Sequence, residues 1–237
     1  MNKYKFDTHV HTSETSPCGR VTGAKLVRLY KESGYDGIVI TDHYYSEYFE
    51  SLGEKNWTEK TDIFLEGYRN ACEEGCKIGL NVLLGMEMRF DENPNDYLVY
   101  GFGEDFLKDC KELYRLGLKA FREIALSHGL LVFQAHPFRT GISPADPVLL
   151  DGIEVFNGNP RHNSRNRLAF AFAAKHGLLM ISGSDFHQVE DIGTGGIRIA
   201  QNVETSCELA RILSSGMPFD ILRQERPIRI PSVSVRK

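Results

Sequence analysis

Short apolar segments alternate with longer amphipathic stretches along most of the chain, and this alternation restricts the fold more than any other feature. The short segments have the composition of buried strands, and the longer stretches carry apolar residues at helical spacing. Strands that alternate with helices are typical of βαβ units, in which helices cover a parallel sheet. About seven such units predict an α/β barrel, either regular or irregular.

The predicted strands cover residues 4–11, 37–41, 82–88, 97–102, 130–135, 152–156, 178–182 and 197–200, with a terminal extended run over 228–235. The predicted helices cover residues 22–33, 61–79, 105–128 with a break near Gly117, 144–150, 163–175 and 205–214. The long aromatic loop 42–60 lies between the predicted strand 37–41 and the predicted helix 61–79, and loops of this length are often functional. Because no linker rich in Pro, Gly or Ser divides these elements, residues 1–237 are predicted to form a single domain.

Composition excludes several classes of protein. With 28 Lys and Arg against 32 Asp and Glu, the 237-residue chain has a formal net charge of −4, so it lacks the basic character expected of a duplex nucleic-acid binder. Five cysteines, an odd number, indicate reduced thiols in a cytosolic protein. The N-terminus lacks an apolar leader, and no apolar run is long enough to cross a bilayer. We therefore expect a cytoplasmic protein without a membrane partner.

Histidines and carboxylates occur where predicted strands end. In parallel α/β folds the C-terminal ends of the strands meet on one face, where active sites lie. Side chains two residues apart on a strand point the same way. Packing gives no reason to prefer such polar residues at several strand ends, so we expect them to converge on metal ions. The residues concerned are His9, His11, His43, Glu87, His136, Asp185 and His187.

The mixture of imidazole and carboxylate groups also indicates which ions bind. Such ligands suit zinc, manganese or iron better than magnesium or calcium. One carboxylate can bridge two neighbouring ions, and Glu87 is the candidate bridge. We therefore predict two or three divalent ions as cofactors.

Six short motifs follow one another in an order that resembles the PHP superfamily, named after polymerases and histidinol phosphatases. They span most of the chain and are specific only in combination. The motifs are Asp7-Thr-His-Val-His11, Thr41-Asp-His43, Gly85-Met-Glu87, Ala135-His-Pro137, Ile153-Glu-Val-Phe-Asn157 and Gly183-Ser-Asp-Phe-His187.

The resemblance implies a distorted (β/α)7 barrel with metals at the C-terminal ends of its strands, and hydrolysis of phosphate esters. It implies a first metal held by His9, His11, Glu87 and Asp185, a second by Glu87 and His136, and a third to which His43 and His187 contribute. Many members carry Asp or His shortly after the His-x-His pair, where this chain offers Glu14 or Cys18. Many also carry a histidine after the glutamate motif, where this chain offers Asp96.

Two arginines follow predicted strand ends and are candidates for binding phosphate. Arg139 comes three residues after His136, and Arg161 follows the strand of Glu154. A guanidinium matches phosphate with a bidentate fork, although each arginine is equally compatible with a solvated surface position. The leaving oxygen requires a proton, from metal-bound water or from a histidine such as His162.

The leading functional hypothesis is a phosphomonoesterase that acts on a small molecule, such as a nucleotide or an amino-alcohol phosphate like histidinol phosphate. Alternatives are a protein-tyrosine phosphatase or a 3′-exonuclease of similar type, or a metal-binding domain without catalysis. The absence of a basic bias argues against the nuclease. The intact His-x-His and Asp-x-His pairs argue against loss of catalysis.

Overall fold

The computed structural model describes residues 3–223 and the backbone of Ile228–Arg229. The strands are β1 (Tyr4–Val10), β2 (Gly37–Ile40), β3 (His43–Tyr44), β4 (Asn81–Leu84), β5 (Met86–Arg89), β6 (Asp96–Tyr100), β7 (Leu131–Gln134), β8 (Gly152–Asn157), β9 (Leu179–Gly183), β10 (Gly195–Ile199), β11 (Asp220–Arg223) and β12 (Ile228–Arg229). The helices are α1 (Gly23–Glu32), α2 (Ser46–Ser51), α3 (Trp57–Phe64), α4 (Glu66–Ile78), α5 (Glu104–Asp109), α6 (Gly117–His128), α7 (Asn166–His176) and α8 (Ser206–Ser214).

The described strands form two six-stranded sheets, so the fold is mixed α/β. Hydrogen-bonded neighbours follow the order β12-β11-β10-β1-β2-β4 in one sheet and β3-β5-β6-β7-β8-β9 in the other. The ladders between described strands do not close into one barrel, so the expected (β/α)7 barrel is not confirmed. The expectation of a parallel sheet holds for β1–β2–β4, β3–β5 and β7–β8–β9, whereas β6 and β10 run antiparallel to their neighbours.

The antiparallel direction of β6 follows from the length of the connection before it. β5 ends at Arg89 and β6 begins at Asp96. A parallel crossover requires about a dozen residues or more, whereas a short connection returns the chain as a hairpin. The segment between Arg89 and Asp96 is too short for a crossover, so β6 pairs antiparallel with β5.

A single residue, Gly85, joins β4 in one sheet to β5 in the other. A Cβ atom at this position would lie 2.9 Å from Val39 Cγ1 and 3.0 Å from Thr41 Cγ2, so the close approach of the chains favours glycine. Beyond Gly85, the parallel pairing of β3 with β5 sets His43 opposite Glu87. The passage between the sheets therefore brings two predicted site residues together.

The long loop 42–60 contributes to the core as well as to the site. It folds into β3, α2 and the start of α3, and its rings pack in one aromatic cluster. Tyr44 and Phe49 are at most 1% exposed and lie 4.7 Å apart between ring centroids. Burial of such a side chain contributes about 1.5–3 kcal/mol to stability. This packing fixes the segment that carries His43.

Most predicted elements are present, but the single strand expected over 82–88 is two strands, β4 and β5, in different sheets. The helix expected over 61–79 is interrupted at Leu65, and the one expected over 105–128 contains a longer break than the sequence indicated. The helix expected over 144–150 is wrong, since only a 3-10 turn, Pro147–Leu149, forms there. Pro144 and Pro147 each lack a backbone N–H, which disfavours a regular helix.

Only Ile228–Arg229 of the extended run expected over 228–235 lies within the described residues, as β12. The remainder of that run lies outside them. Among the described helices, none combines the length and the apolar character that a membrane crossing requires.

Candidate metal centre

The end of β1 places two histidines side by side in the interior. His9 and His11 are both fully buried, and their Nε2 atoms lie 3.1 Å apart. The chain after β9 runs against them, because His11 N donates to Phe186 O at 3.0 Å and Phe186 N donates to His9 O at 3.1 Å. These backbone bonds bring the Gly183–His187 motif next to the His-x-His pair.

Glu87 lies at the middle of the centre, with four histidines around its carboxylate. Oε1 is 3.3 Å from His9 Nε2 and 3.1 Å from His136 Nε2. Oε2 is 3.3 Å from His11 Nε2 and 2.9 Å from His43 Nδ1. Each carboxylate oxygen therefore faces a different pair of histidines, which is the arrangement that a bridging ligand requires.

Asp185 approaches the same histidines from the other side. Its Oδ1 atom is 3.5 Å from His9 Nε2, 3.6 Å from His11 Nε2 and 3.4 Å from His187 Nδ1. Asp185 and His136 have φ angles of 53° and 29°. Residues other than glycine rarely adopt this left-handed region, and such strain is concentrated at functional sites.

The donor atoms are close enough to share ions. Three sets have all their ligand atoms within 4.8 Å of one another: His9, His11 and Asp185; His11, His43 and His187; and His43, Glu87 and Asp96. One buried atom in this region, His136 Nδ1, has no hydrogen-bond partner among the described residues. Because such an atom is costly to bury without a partner, the residues present fit divalent cations.

Burial and charge interactions among these side chains shift their pKa values. Burial alone would lower the pKa of His9, but the carboxylates of Glu87, Glu154 and Asp185 raise that pKa well above its ordinary value. Burial conversely opposes ionisation of Glu87, but the surrounding histidines hold its pKa well below the usual range. Burial and the neighbouring His11 lower the pKa of His187 to about 4, so this imidazole is neutral at pH 7.

Buried polar residues behind the histidines orient their rings. His9 Nδ1 lies 2.9 Å from Glu154 Oε1, which leaves His9 Nε2 facing the centre. His11 Nδ1 lies 3.2 Å from Ser16 Oγ, and Ser16 Oγ donates to Asp42 Oδ1 at 2.6 Å. Such partners fix the tautomer of a metal-binding histidine.

Neither Glu154 nor Asp42 had a role predicted from the sequence. A signal for Glu154 was nevertheless present, since it is the one acidic residue within the apolar run Ile153–Phe156. A buried carboxylate in a strand requires a charged or polar partner. Asp42 gave a weaker signal, because its partner Ser16 lies on a separate segment.

The residues proposed for the two unusual positions have different surroundings. Glu14 is not brought to the centre, since both its carboxylate oxygens accept from Gly23 N, each at 3.0 Å, at the start of α1. Cys18 is exposed at the rim of the cavity above the centre. Asp96 lies inside, with Oδ2 3.9 Å from His136 Nε2.

A cavity of about 580 Å³ opens above these ligands. Both predicted arginines line it, together with His162. Arg139 Nη2 donates to His162 Nε2 at 2.9 Å, whereas Arg161 forms a two-pronged ion pair with the buried Asp191, 2.7 Å from Nη2 to Oδ2. The cavity therefore joins predicted metal ligands on its floor to cationic groups on its walls.

Comparison with known families gives two matches. The PHP domain family matches residues 7–184, and the PHP-associated family matches residues 163–217. A search of curated proteins gives no match.

Solved bacterial structures share the fold at low identity. A two-domain protein from Bacteroides vulgatus, containing a predicted PHP-like metal-dependent phosphoesterase, is 19% identical with a TM-score of 0.64, over 94% of this chain and 66% of that one. A candidate metal-dependent phosphoesterase from Bifidobacterium adolescentis is 19% identical with a TM-score of 0.55, and the match covers 90% of this chain and 96% of that one. An amidohydrolase from Chromobacterium violaceum, with bound sulfate and no metal, is 16% identical with a TM-score of 0.52, and the match covers 92% of this chain and 97% of that one. This chain therefore spans just under two thirds of the Bacteroides protein's length.

Proposed function

This chain belongs to the PHP domain family, whose match covers residues 7–184, and on that basis we propose that it is a metal-dependent phosphomonoesterase acting on a small molecule. The observation that carries the proposal is the position of Glu87, whose two carboxylate oxygens face different pairs of histidines. A purely structural carboxylate needs no such arrangement, whereas a cluster of divalent ions does.

The ligands assigned from the sequence are grouped around this carboxylate. His9, His11, Glu87 and Asp185 would hold a first ion, Glu87 and His136 a second, and His43 and His187 would contribute to a third. Asp96 is a further candidate near His43 and Glu87. Bound divalent ions supply Lewis acidity, which activates water and neutralises charge on phosphate oxygens.

The chain's own residues then hold the substrate. Arg139 faces the cavity and has no carboxylate partner among the described residues. It would bind the phosphate oxygens, where charge develops during transfer. Arg161 is held by Asp191, which fixes the direction of its guanidinium group. His162 lies beside Arg139, and burial together with that guanidinium lowers the pKa of its imidazole, so the neutral ring accepts from Arg139 and is a poor acid. The proton for the leaving oxygen would then come from water.

The cavity supports a small-molecule substrate over a protein one. Its volume of about 580 Å³ falls within the range of sites that enclose small ligands. The bound sulfate named for the Chromobacterium violaceum amidohydrolase is a tetrahedral anion of phosphate shape, which is compatible with this proposal.

We also retain two proposals about architecture. A distorted seven-stranded barrel is supported by two kinds of connection between the sheets. The chain passes directly from β2 to β3 and from β4 through Gly85 to β5, and backbone hydrogen bonds join the end of β1 to Phe186. The same contacts support a single domain over the described residues, and its extent over residues 1–237 remains a proposal.

A panel of substrates tests the proposed function. Manganese-loaded protein is assayed for phosphate release from p-nitrophenyl phosphate, mononucleotides, amino-alcohol phosphates, a phosphotyrosine peptide and a single-stranded oligonucleotide. We expect turnover of small monoesters and much weaker activity on the peptide and the oligonucleotide. Absence of phosphate release from every monoester, with metal bound, would refute the proposal.

A further inference from the structure

The cavity above the metal centre contains more cationic groups than one phosphate requires. Among the described residues, four arginines line it: Arg20, Arg89, Arg139 and Arg161. Two of them are neutralised by buried carboxylates, because Arg89 Nε lies 2.8 Å from Asp96 Oδ1 and Arg161 pairs with Asp191. Within residues 3–223, no carboxylate oxygen lies within 4.0 Å of the guanidinium nitrogens of Arg20 or Arg139.

Arg20 is held at the cavity by its backbone. Its amide N donates to His187 O at 2.8 Å, so it follows the position of a predicted metal ligand. The preceding loop is folded tightly, since Gly19 N donates to Ser16 O at 2.9 Å. A Cβ atom on Gly19 would lie 2.5 Å from Thr12 O, which favours glycine in this turn. The Cα position of Arg20 is therefore defined, although its side chain is exposed.

The two unneutralised arginines belong to separate segments of the cavity wall. Arg139 follows His136 at the end of β7, and its backbone N donates to His136 O at 3.0 Å. Arg20 lies in the loop after β1, against His187. Metal ions and Arg139 would neutralise the reacting phosphate, so Arg20 remains available for another anion.

We propose that the substrate carries a second anionic group, a phosphate or a carboxylate, on its leaving group, and that Arg20 binds that group. This inference rests on the proposed phosphomonoesterase function. A cavity of about 580 Å³ can contain the leaving group as well as the reacting phosphate. A guanidinium group offers a bidentate, charge-assisted contact to either anion, and this contact makes Arg20 a residue that determines specificity.

The experiment compares matched probes that differ in the second anion. Linear diol monophosphates, from ethanediol to hexanediol, are compared with the corresponding bisphosphates and with phosphorylated hydroxy acids of equal length. For at least one length, we expect kcat/KM of a doubly anionic probe to exceed that of its monophosphate by about tenfold or more. The length at which the preference appears, and whether phosphate or carboxylate gives it, identify the second group.

Variants assign the preference to Arg20. Arg20→Gln should lower the ratio of kcat/KM values to near one, and Arg20→Lys should recover part of it. Arg167→Gln, at an exposed position on α7 outside the cavity, is the control and should leave the ratio unchanged. Equal kcat/KM values at every length in the wild type, or an unchanged ratio in Arg20→Gln, would overturn the proposal.

A binding measurement separates this inference from the proposed function. If no probe is hydrolysed, the phosphomonoesterase proposal fails, and calorimetric affinities of the same probes for the metal-loaded protein decide the role of Arg20. Tighter binding of doubly anionic probes, lost in Arg20→Gln, would support the role. Equal affinities for singly and doubly anionic probes would overturn it.

Discussion

At the scale of single residues, Glu87 is the side chain on which the account depends most. Glu87→Gln keeps the shape of the side chain but removes its charge, so we expect it to lose bound metal while the fold remains. Removing even a residue that only hydrogen-bonds a metal ligand commonly lowers metal affinity or activity by about 10–100-fold. Removing the ligand Glu87 itself should therefore lower phosphatase activity by at least about 100-fold. Elemental analysis, circular dichroism and a phosphate-release assay measure the three effects. Normal activity in this variant would remove Glu87 from the centre.

The two predicted phosphate-binding arginines should respond differently to substitution by alanine. Arg139→Ala should leave metal content unchanged and lower kcat/KM by roughly 10- to 150-fold, the effect of losing one charge-assisted hydrogen bond of about 1.5–3 kcal/mol. Steady-state kinetics together with metal analysis test this, and full activity would show that Arg139 is only solvated. Lysine at this position should restore part of the loss.

Arg161→Ala should also reduce stability, because it leaves the fully buried Asp191 without its cation. Asp191 further accepts from His187 N at 2.8 Å, so its displacement would disturb a predicted ligand. We expect a loss of about 3 kcal/mol or more in the free energy of unfolding, measured by urea denaturation. An unchanged midpoint would show that Asp191 does not depend on this pair.

Metal uptake should depend on pH because protons and metal ions compete for the same ligand atoms. The raised pKa of His9 means that its imidazole retains a proton at neutral pH, and a bound ion must displace that proton. Affinity should therefore weaken as pH falls from about 8 to about 6. Calorimetry in buffers of different ionisation enthalpy should detect proton release, and an affinity independent of pH would contradict this description.

The sequence indicated most side chains of the centre, because histidines and carboxylates at strand ends have no packing explanation. Their roles as ligands remain predictions. The sequence did not indicate that Glu14 accepts hydrogen bonds at the start of α1, or that Asp42 orients His11 through Ser16. These contacts join separate segments of the chain, and residue spacing carries no information about them.

At the scale of elements, the contact between β9 and β1 positions the His-x-His pair. A Cβ atom on Gly183 would lie 2.3 Å from His9 Cβ and 3.0 Å from His9 N. Gly183→Ala should therefore cost about 1–3 kcal/mol in stability and weaken metal binding, because it displaces β1. Urea denaturation and metal titration measure these effects.

Gly103→Ala is the matched control for that substitution. Apart from its chain neighbours, no described residue has an atom within 4 Å of a Cβ placed at Gly103, and its φ of −116° suits any residue. Its stability and metal affinity should stay close to those of the wild type. Equal behaviour of the two variants would show that the β1–β9 contact does not position His9.

Element order was more predictable than strand direction or helix continuity. The apolar runs located β1, β2, β7, β8 and β9 to within a few residues. The antiparallel course of β6 follows from the short connection between Arg89 and Asp96, which the sequence contains but which the βαβ pattern obscured. The prolines at 144 and 147 likewise argued against a helix that the apolar pattern favoured.

At the scale of the whole molecule, strand count alone does not determine how sheets close. Closure depends on register and on residues such as Gly85, which carries the chain from β4 to β5 between two sheets. Those features arise from contacts between distant segments, so the alternation of elements predicted an α/β protein with a parallel sheet, but not two sheets that each contain antiparallel strands. The family motifs supplied information about function that composition alone did not.

The proposed function requires that several divalent ions, held by this centre, support phosphate-ester hydrolysis. The most direct test is a titration of chelator-stripped protein with manganese or zinc, following bound metal and hydrolysis of p-nitrophenyl phosphate in the same samples. We expect no hydrolysis by stripped protein, and activity that returns as more than one equivalent of metal binds. Hydrolysis by metal-free protein at the full rate, or failure to take up any metal, would contradict it.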